Sequence, residues 1–461
     1  MSLRFQADSQ RATGKGGIVH DSDKTETERS LRARVPTEQR PAILWTFPQY
    51  GRVTAPSKRC VVGRAESCEA RLDGTKISRE HAEISPVGSA FGIRDLNSRN
   101  GVWINGQRVE ATALVAGDVV RLGEWVGVVV PGLSQDVQFG EIAPGLLGGP
   151  RLGAVLAPAR KLAEKSIPLV IHGATGTGKE RVARALHVWS GRPGEYVGVN
   201  CAAIPTDLAE AELFGHSRGA FTGAERARLG FFRQADRGTL LLDEFLELAP
   251  RTQAKLLRVL EESEVQPIGD NRAYPIDVLL LAATQQPLSE VVDAGQLRND
   301  LVARLGVYTL QLPRLAERKE DIAPLFVHFI RDPRVARTPP VDAELIEWLC
   351  MQRWTQNVRE LEWLARSMVA LHDDVACLTT EHLPPQYLAG GPPSDPAAPE
   401  PGEERSNPIE DSDLFVRLKQ ALDDNGGVVL RAAESLGITR QKAYRILGKQ
   451  GFELEALRRR R

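Results

Sequence analysis

The residues with the clearest chemistry form a glycine-rich stretch, GATGTGKE, which lies between an apolar run at 167–171 and a helical pattern over 180–190. Glycines permit a sharp turn whose backbone N–H groups point at one position, and the positive end of the following helix adds to them. A mobile ammonium such as that of Lys179 suits the outer phosphates of a nucleotide. The stretch therefore predicts a phosphate-binding loop, composed of Gly173, Ala174, Thr175, Gly176, Thr177, Gly178, Lys179 and Glu180.

A pair of carboxylates downstream supplies the second half of this chemistry. The run TLLLDE at 239–244 contains consecutive leucines, which suit a strand that is buried on both faces of a parallel sheet. Asp243 then lies at the carboxyl end of the strand, where it can hold Mg²⁺, and Glu244 can polarise a water for attack on the terminal phosphate of ATP. An acidic pair that only caps a strand is the alternative, but the match with Lys179 favours ATP hydrolysis. Position 180 is Glu and offers no hydroxyl to the metal.

Composition limits the classes of protein that the chain can represent. The 461 residues allow about three domains, and a composition of 42% hydrophobic and 26% charged residues is typical of soluble proteins with large cores. The formal net charge of −1 predicts no partner for the chain as a whole. Five scattered cysteines without CxxC spacing favour reduced thiols and a cytoplasmic location over disulfides or a zinc site. No apolar run approaches the ~18–20 residues that cross a membrane, so we expect no membrane partner.

The N-terminal part is predicted to contain a tail and a β-sandwich. Residues 1–40 are polar without periodicity, which indicates a disordered tail. From 41 to 131, short apolar or alternating runs separated by turn residues predict an all-β sandwich, and Asn105-Gly106 is a hairpin signal. The strand candidates are CVV, HAEI, FGIRDL, GVWI and DVVRL.

Loops of this sandwich carry a second phosphate chemistry. Gly63-Arg64, the run SREH at 78–81 and the run SRNG at 98–101 resemble, in order and spacing, a forkhead-associated (FHA) domain. That family binds phosphothreonine peptides at the loops of one sandwich end, and Arg and hydroxyl groups are suitable donors to a phosphate. The resemblance implies a site at Arg64, Ser78, Arg79 and Asn100, braced by His81. Arg99 stands where family members often have Thr, which bears on peptide preference. An FHA fold kept only as a docking surface is the alternative.

The middle of the chain is predicted to be an α/β nucleotide-binding domain. Residues 132–150 are rich in Gly and Pro, which favours a linker. From 151 to 388, strand and helix patterns alternate and then become helical after Leu315. Beyond the runs above, the strand candidates are 196–200, 278–284 and 307–312, and the helix candidates are 251–262, 342–350 and 358–371.

One stretch in this domain is more specific than a generic ATPase. The run ELFGHSRGAFTGA at 212–224 could be a surface loop with a buried Phe. The full string, however, resembles the signature of the AAA+ activators of the sigma-54 form of bacterial RNA polymerase, the bacterial enhancer-binding proteins. In that family the loop touches the sigma factor and moves with the nucleotide state. The resemblance implies a sigma-54 contact at Gly219, Ala220, Phe221, Thr222, Gly223 and Ala224.

Other positions match the same family, and some depart from it. Asn200 matches the residue that pairs with the catalytic glutamate and switches it, and GKE is the family's own variant at 178–180. Three arginines match as well. Arg298 and Arg304 match the pair that reaches a neighbouring subunit's ATP, and Arg359 matches a sensor arginine in the lid. The departures are Ala174-Thr175 in place of Glu-Ser, Gln285 in place of a sensor Asn, and Thr355-Gln356 in place of Pro-Gly. Gln285 puts the rate of hydrolysis in question.

The C-terminal part resembles a DNA-binding module. Residues 389–408 are rich in Pro, Gly and acids and are predicted to be a flexible linker. Within 409–461, Ala432-Ala433, Gly437 and a good N-cap at Thr439 indicate two helices around a tight turn. This resembles a Fis-type helix-turn-helix, whose second helix lies in the major groove. The implied DNA contacts are Thr439, Arg440, Gln441, Lys442, Tyr444 and Arg445.

Taken together, these resemblances imply a cytoplasmic, sigma-54-dependent transcriptional activator with ATP and Mg²⁺ as its ligands. Its expected partners are sigma-54 RNA polymerase, enhancer DNA and a phosphothreonine-containing protein of a Ser/Thr kinase pathway. We expect it to assemble as an AAA+ ring, a hexamer by analogy. Two alternatives stay open: a phosphopeptide-dependent DNA-binding regulator with a weakened ATPase, motivated by Gln285, and an AAA+ remodeller of some other protein.

Overall fold

The structure is a computed structural model that describes residues 41–55, 58–87, 90–131, 137–221, 224–305, 308–331 and 337–388. The predicted tail at 1–40, the linker at 389–408 and the helix-turn-helix at 409–461 lie outside these ranges. Thr222 and Gly223 of the predicted sigma-54 loop do so as well. In the described part, no helix is long and apolar enough to cross a membrane.

The predicted sandwich is confirmed and consists of two sheets. One has the strand order β2-β1-β11-β10-β7-β8 and the other β4-β3-β5-β6-β9. Apolar side chains that alternate along the strands fill the space between the sheets, with Trp45 and Trp125 in edge-to-face contact at 6.2 Å between ring centroids. The strands are β1 (Ala42–Phe47), β2 (Arg52–Thr54), β3 (Cys60–Gly63), β4 (Ala70–Arg71), β5 (Ala82–Val87), β6 (Ala90–Asp95), β7 (Val102–Ile104), β8 (Gln107–Val109), β9 (Ala111–Leu114), β10 (Val119–Leu122) and β11 (Trp125–Val130).

A hairpin and a helix follow where a linker was predicted over 132–150. Strands β12 (Gly140–Ala143) and β13 (Leu146–Gly148) pair in antiparallel fashion, and helix α1 (Pro150–Ala163) begins directly after them. Ala143 and Leu146 are buried against the core of the α/β domain. The linker prediction was therefore wrong over 140–150. The Gly and Pro residues that suggested a linker serve the hairpin turn, where Gly145 has a φ of 74°, and the first turn of the helix.

The α/β domain has a parallel sheet with the order β15-β18-β21-β14-β22. Strand β21 is completely buried and β18 is buried up to its last residue, Asp243, because helices cover both faces, as the leucine-rich runs predicted. The strands of this sheet are β14 (Leu169–His172), β15 (Tyr196–Asn200), β18 (Thr239–Asp243), β21 (Leu279–Thr284) and β22 (Thr309–Gln311). The short paired strands are β16 (Gly215–His216), β17 (Arg228–Leu229), β19 (Glu264–Val265) and β20 (Tyr274–Pro275). The helices are α2 (Lys179–Ser190), α3 (Ala209–Phe214), α4 (Phe231–Gln234), α5 (Pro250–Glu262), α6 (Leu288–Asp293) and α7 (Asn299–Leu305).

A helical lid completes the domain and also contacts the sandwich. Its helices are α8 (Ile322–Phe329), α9 (Ala343–Met351), α10 (Asn357–Leu371) and α11 (Pro385–Leu388). Val119 and Val126 of the sandwich belong to the same buried cluster as the apolar faces of α8, α9 and α10. The sandwich and the ATPase thus form one compact unit.

Polar contacts fix this sandwich–lid interface, which we define by Arg121, Gly106 and Lys76 on the sandwich and Glu347 and Asp342 on the lid. The Arg121 guanidinium lies 2.6 Å from the Glu347 carboxylate, whose side chain is 2% exposed. The other oxygen of that carboxylate accepts from Gly106 N at 2.9 Å. Lys76 Nζ lies 3.1 Å from Asp342 Oδ1. Because both oxygens of the buried Glu347 carboxylate have a partner, this contact specifies one docking geometry of the sandwich on the lid.

Candidate functional site

The stretch over 173–180 contains the loop that follows β14 and the first two residues of α2, as the glycine pattern predicted. Gly176 and Gly178 have φ values of 74° and 104°, a region that favours glycine. A Cβ at Gly176 would come within 1.9 Å of the Gln356 carbonyl oxygen of the lid, so the lid approaches this loop too closely for any side chain there. The lid holds the loop through Asn357 Nδ2, which donates to Thr175 O at 2.8 Å, and through Val358 N, which donates to Gly176 O at 3.0 Å.

Lys179 is the cation of this loop and is almost completely buried. Its side chain is 8% exposed, and its Nζ donates to Gly173 O at 3.0 Å. The nearest carboxylate oxygen, Glu244 Oε1, lies 3.9 Å from that Nζ. Among the residues that the structure describes, one carbonyl and one distant carboxylate leave the ammonium with donors to spare, and Lys179 lines a cleft of about 780 Å³. A cleft of this size suits a nucleotide.

The predicted acidic residues lie at the same edge of the sheet. Asp243 ends β18, and Glu244 follows it with a φ of 52°, in the left-handed region; both residues line the cleft. Burial raises the pKa of Asp243, and the Lys179 ammonium opposes that rise. In the described part of the chain, no three His, Cys, Asp or Glu side chains cluster as a metal site. Mg²⁺ bound between one carboxylate and nucleotide phosphates needs no such cluster, so the residues present fit Mg²⁺ at Asp243.

The remaining predicted ATPase residues divide into two groups. Asn200, Arg359 and Glu180 line the cleft together with the phosphate loop. Arg298 and Arg304 lie outside the described residues that line it, and both are about half exposed at 49% and 60%. Arg298 pairs with Asp300 at 2.7 Å, and Arg304 lies 3.9 Å from Glu261. The structure therefore does not bring these two arginines to the cleft of their own chain.

Two cleft features were not predicted from sequence. The β12–β13 hairpin contributes Gly145, Leu146 and Leu147 to the cleft wall. Gln285 contacts Glu244, with its Nε2 donating to Glu244 Oε1 at 2.5 Å, whereas the Asn200 side-chain oxygen accepts from Ala202 N at 3.0 Å. Glu244 and Gln285 are far apart in sequence and meet only because β18 and β21 are neighbours in the sheet.

The predicted sigma-54 loop projects from the segment between α3 and β17. Its base is closed by a backbone hydrogen bond from Gly219 N to Ala224 O at 2.8 Å, and Gly219 has a φ of 79°. Phe221 is 38% exposed, and its ring centroid lies 5.0 Å from that of His216. The loop therefore presents an aromatic side chain to the outside, in contrast to a generic loop with a buried Phe.

In the sandwich, hydrogen bonds link the loops that carry the predicted phosphate residues. Arg64 N donates to Ser78 O at 3.0 Å, and Arg99 N donates to Ser78 Oγ at 3.1 Å. Asn100 Nδ2 donates to Lys76 O at 2.5 Å. Arg64, Arg79 and Asn100 are exposed around Ser78. Residues with guanidinium, hydroxyl and amide groups thus lie on loops that contact each other, and such donors suit a phosphorylated ligand.

His81 braces these loops, as expected. It is fully buried; its Nδ1 accepts from Ser78 N at 3.1 Å, and its Nε2 lies 3.0 Å from Gly101 O. The first contact requires an unprotonated Nδ1, so Nε2 carries the proton and donates to Gly101 O. Burial lowers the pKa of His81, which favours this neutral form. One imidazole therefore ties the loop at Ser78 to the loop at Gly101.

Comparison with known proteins agrees with these geometries. Residues 148–311 match the Sigma-54 interaction domain, residues 60–123 the FHA domain and residues 316–400 the AAA+ ATPase lid domain. The chain is 40% identical over 309 residues to the transcriptional regulatory protein ZraR of Klebsiella oxytoca, covering 66% of this chain and 67% of that protein.

Two further relatives show the same relationship. The C4-dicarboxylate transport transcriptional regulatory protein DctD of Rhizobium meliloti is 38% identical over 64% of this chain and 61% of its own length. The regulatory protein AtoC of Escherichia coli is 35% identical over 70% of each chain. The chain therefore belongs to the family of transcriptional regulators built on the sigma-54 interaction ATPase, here joined to an FHA domain.

Proposed function

We propose that the protein activates sigma-54-dependent transcription by hydrolysing ATP in the cleft at Lys179 and using the change to move the loop at 219–224 against sigma-54. The observation that carries this proposal is the combination of a buried ammonium facing a nucleotide-sized cleft with an exposed Phe221 on a glycine-bounded loop of the same domain. In this proposal the cleft supplies the energy of ATP hydrolysis, and the loop supplies the contact with sigma-54.

The residues of the cleft suggest how hydrolysis proceeds. Lys179 and the backbone N–H groups of the loop bind the β- and γ-phosphates, and Asp243 would hold Mg²⁺, which when bound would offset phosphate charge. Glu244 accepts a proton from water while the water oxygen forms its bond to the γ-phosphorus. The bond to the β–γ bridging oxygen breaks with its electron pair, which leaves on ADP. Arg359, from the lid, is placed to stabilise the charge that develops.

Assembly and input complete the proposal. Arg298 and Arg304 act on the ATP of a neighbouring subunit in a ring, for which a hexamer is the expected size; their exposure away from their own cleft supports this. The contacts between the loops that carry Arg64, Ser78 and Asn100 support recognition of a phosphothreonine protein from a Ser/Thr kinase pathway. Enhancer DNA is expected to bind the second helix of the predicted helix-turn-helix, at residues 439–445. The protein is expected to be located in the cytoplasm.

In vitro transcription from a sigma-54 promoter tests the proposal. The parent is expected to produce transcript with ATP, and Lys179→Ala is expected to produce none. Thr222→Ala is expected to retain ATP hydrolysis and lose transcription, because it alters the contact loop and leaves the phosphate-binding residues intact. Transcript from Lys179→Ala at the level of the parent would refute the energy source, and transcript from Thr222→Ala with unchanged sigma-54 binding would refute the loop assignment.

A further inference from the structure

A chain of hydrogen bonds connects the phosphate loop to the acidic residue at the end of β18. The Thr175 hydroxyl donates to Gln285 Oε1 at 2.6 Å, and Gln285 Nε2 donates to Glu244 Oε1 at 2.5 Å. Thr175 and Gln285 are separated by 110 positions in sequence, and Gln285 and Glu244 by 41. All three residues line the cleft.

The chemistry of the groups fixes the direction of this chain. A carboxylate only accepts hydrogen bonds, so the amide nitrogen of Gln285 must face Glu244, and the amide oxygen must then face Thr175. A threonine hydroxyl can donate to that oxygen. Each member thus has a matched partner, and a hydrogen bond to a charged acceptor is about twice as strong as a neutral one.

Glu244 needs such a partner when ATP is bound. Its Oε1 lies 3.9 Å from Lys179 Nζ, and the terminal phosphate is expected to bind that same ammonium. Two negatively charged groups at one cation repel each other, and Glu244 is 26% exposed, so its side chain has room to turn away. The Gln285 amide holds the carboxylate beside the phosphate against this repulsion and leaves Oε2 free to face a water.

We infer that Gln285, held by the Thr175 hydroxyl, is a positioning residue that keeps Glu244 in the cleft for hydrolysis. The inference rests on the proposed role of Glu244 as the group that accepts the proton from water. The length of the side chain explains why position 285 needs glutamine. Asparagine is shorter by one carbon–carbon bond, about 1.5 Å, and from position 285 it would not reach both Thr175 and Glu244. Gln285 and Thr175, two departures from the usual family residues, therefore act as a pair.

Kinetics of ATP hydrolysis by the full chain separate positioning from binding. Gln285→Ala and Gln285→Asn are each expected to lower kcat by about tenfold to a hundredfold, because the reacting group is misplaced. The affinity for ADP, which does not need Glu244, is expected to stay within about threefold of the parent and also reports that the variants are folded. Gln286→Ala is the matched control, since it removes the same side chain one position further and is expected to keep the parent's kcat.

The Thr175 link is tested by a double-mutant cycle. Thr175→Val removes the hydroxyl at nearly constant shape and is expected to lower kcat, while Thr175→Ser restores it. Because both residues act through one contact, Thr175→Val combined with Gln285→Ala is expected to be no slower than Gln285→Ala alone. Multiplicative losses, or a parent-like kcat for Gln285→Ala, would overturn the inference.

Glu244→Gln distinguishes a failure of the inference from a failure of its premise. If Glu244→Gln binds ADP but hydrolyses no ATP while Gln285→Ala turns over normally, only the positioning role is wrong. If Glu244→Gln hydrolyses ATP like the parent, Glu244 is not the proton acceptor, and the inference falls together with that part of the proposed function.

Discussion

The chain contains two candidate phosphate sites, and they are constructed differently. In the ATPase cleft, a buried ammonium, a glycine loop and the start of α2 converge under a lid. On the sandwich, the donors are exposed side chains on loops that one buried histidine holds together. A site that must hold a phosphate and one attacking water in a fixed geometry is enclosed, whereas a site that only binds a phosphate can stay open, with its specificity set by loop geometry.

The largest effect is expected in the enclosed site. Lys179→Ala removes the ammonium that faces the cleft, and we expect ATP affinity to fall by at least about a hundredfold, since the buried outer phosphates lose a charged partner. Titration calorimetry with ATP checks this. Lys165→Ala, an exposed lysine at the end of α1, is the matched control and is expected to bind ATP like the parent. Equal affinities for the two variants would mean that the cleft binds no phosphate.

The next effect concerns the buried histidine of the open site. His81→Gln leaves Ser78 N and Gly101 O without their fitted partner, at a cost of about 2–3 kcal/mol in the unfolding free energy of the sandwich. Chemical denaturation followed by the fluorescence of Trp45 and Trp125 measures it. Unchanged denaturation midpoints would show that the loops do not depend on this imidazole.

The same variant tests a pH dependence with a defined sign. Because burial lowers the pKa of His81 below 6.5, the unfolded chain takes up this proton first as the pH falls. The stability that neutral His81 contributes is complete above about pH 6.5 and is lost as the pH falls through the folded-state pKa. The stability difference between parent and His81→Gln is therefore expected to shrink below pH 6.5. A constant difference from pH 8 to pH 5 would contradict this assignment.

The open site itself is expected to show a smaller, ligand-specific effect. Arg64→Ala should weaken binding of a phosphothreonine peptide by about 1.5–3 kcal/mol, the range for a hydrogen bond to a charged group. Binding of the unphosphorylated peptide is expected to stay the same, because Arg64 is exposed and serves the phosphate. Calorimetry measures the affinity of the parent and of Arg64→Ala for both peptides. If the parent binds the phosphorylated and the unphosphorylated peptide equally well, the sandwich is a docking module without phosphate recognition.

Comparing the sites also shows what local sequence could predict. Runs such as TLLLD and LLLAAT revealed buried strands because a strand covered on both faces must be apolar throughout, and the structure confirms both. The β12–β13 hairpin was missed, since Gly and Pro indicate turns equally well in linkers and in hairpins. The contacts of Gln285 with Glu244 and of Arg121 with Glu347 span 41 and 226 positions, and no local pattern encodes a pairing that depends on which strands and domains become neighbours.

One exposed contact connects the open site to the lid of the enclosed site, and it gives the smallest expected change in stability. The Lys76 carbonyl accepts from Asn100 of the phosphopeptide loops, while its Nζ pairs with Asp342, the N-cap of lid helix α9. Burial alone would raise the pKa of Asp342, but the hydrogen bond from Glu344 N and the Lys76 ammonium together lower it. Since Lys76 is 59% exposed, Lys76→Ala should cost no more than about 1 kcal/mol.

The functional effect of Lys76→Ala is expected to exceed its effect on stability. Asn100, a predicted peptide contact, donates to the carbonyl of Lys76, whose Nζ holds the lid, and the lid contacts the phosphate loop at Thr175 and Gly176. Phosphopeptide should therefore change the ATP turnover of the parent more than that of Lys76→Ala, although both bind the peptide with equal affinity. The exposed-lysine control Lys58→Ala is expected to respond like the parent. Because the Lys76–Asp342 pair is exposed, the difference should fade as salt rises above about 0.15 M. If Lys76→Ala responds to the peptide as Lys58→Ala does, the Lys76–Asp342 pair has no part in the response.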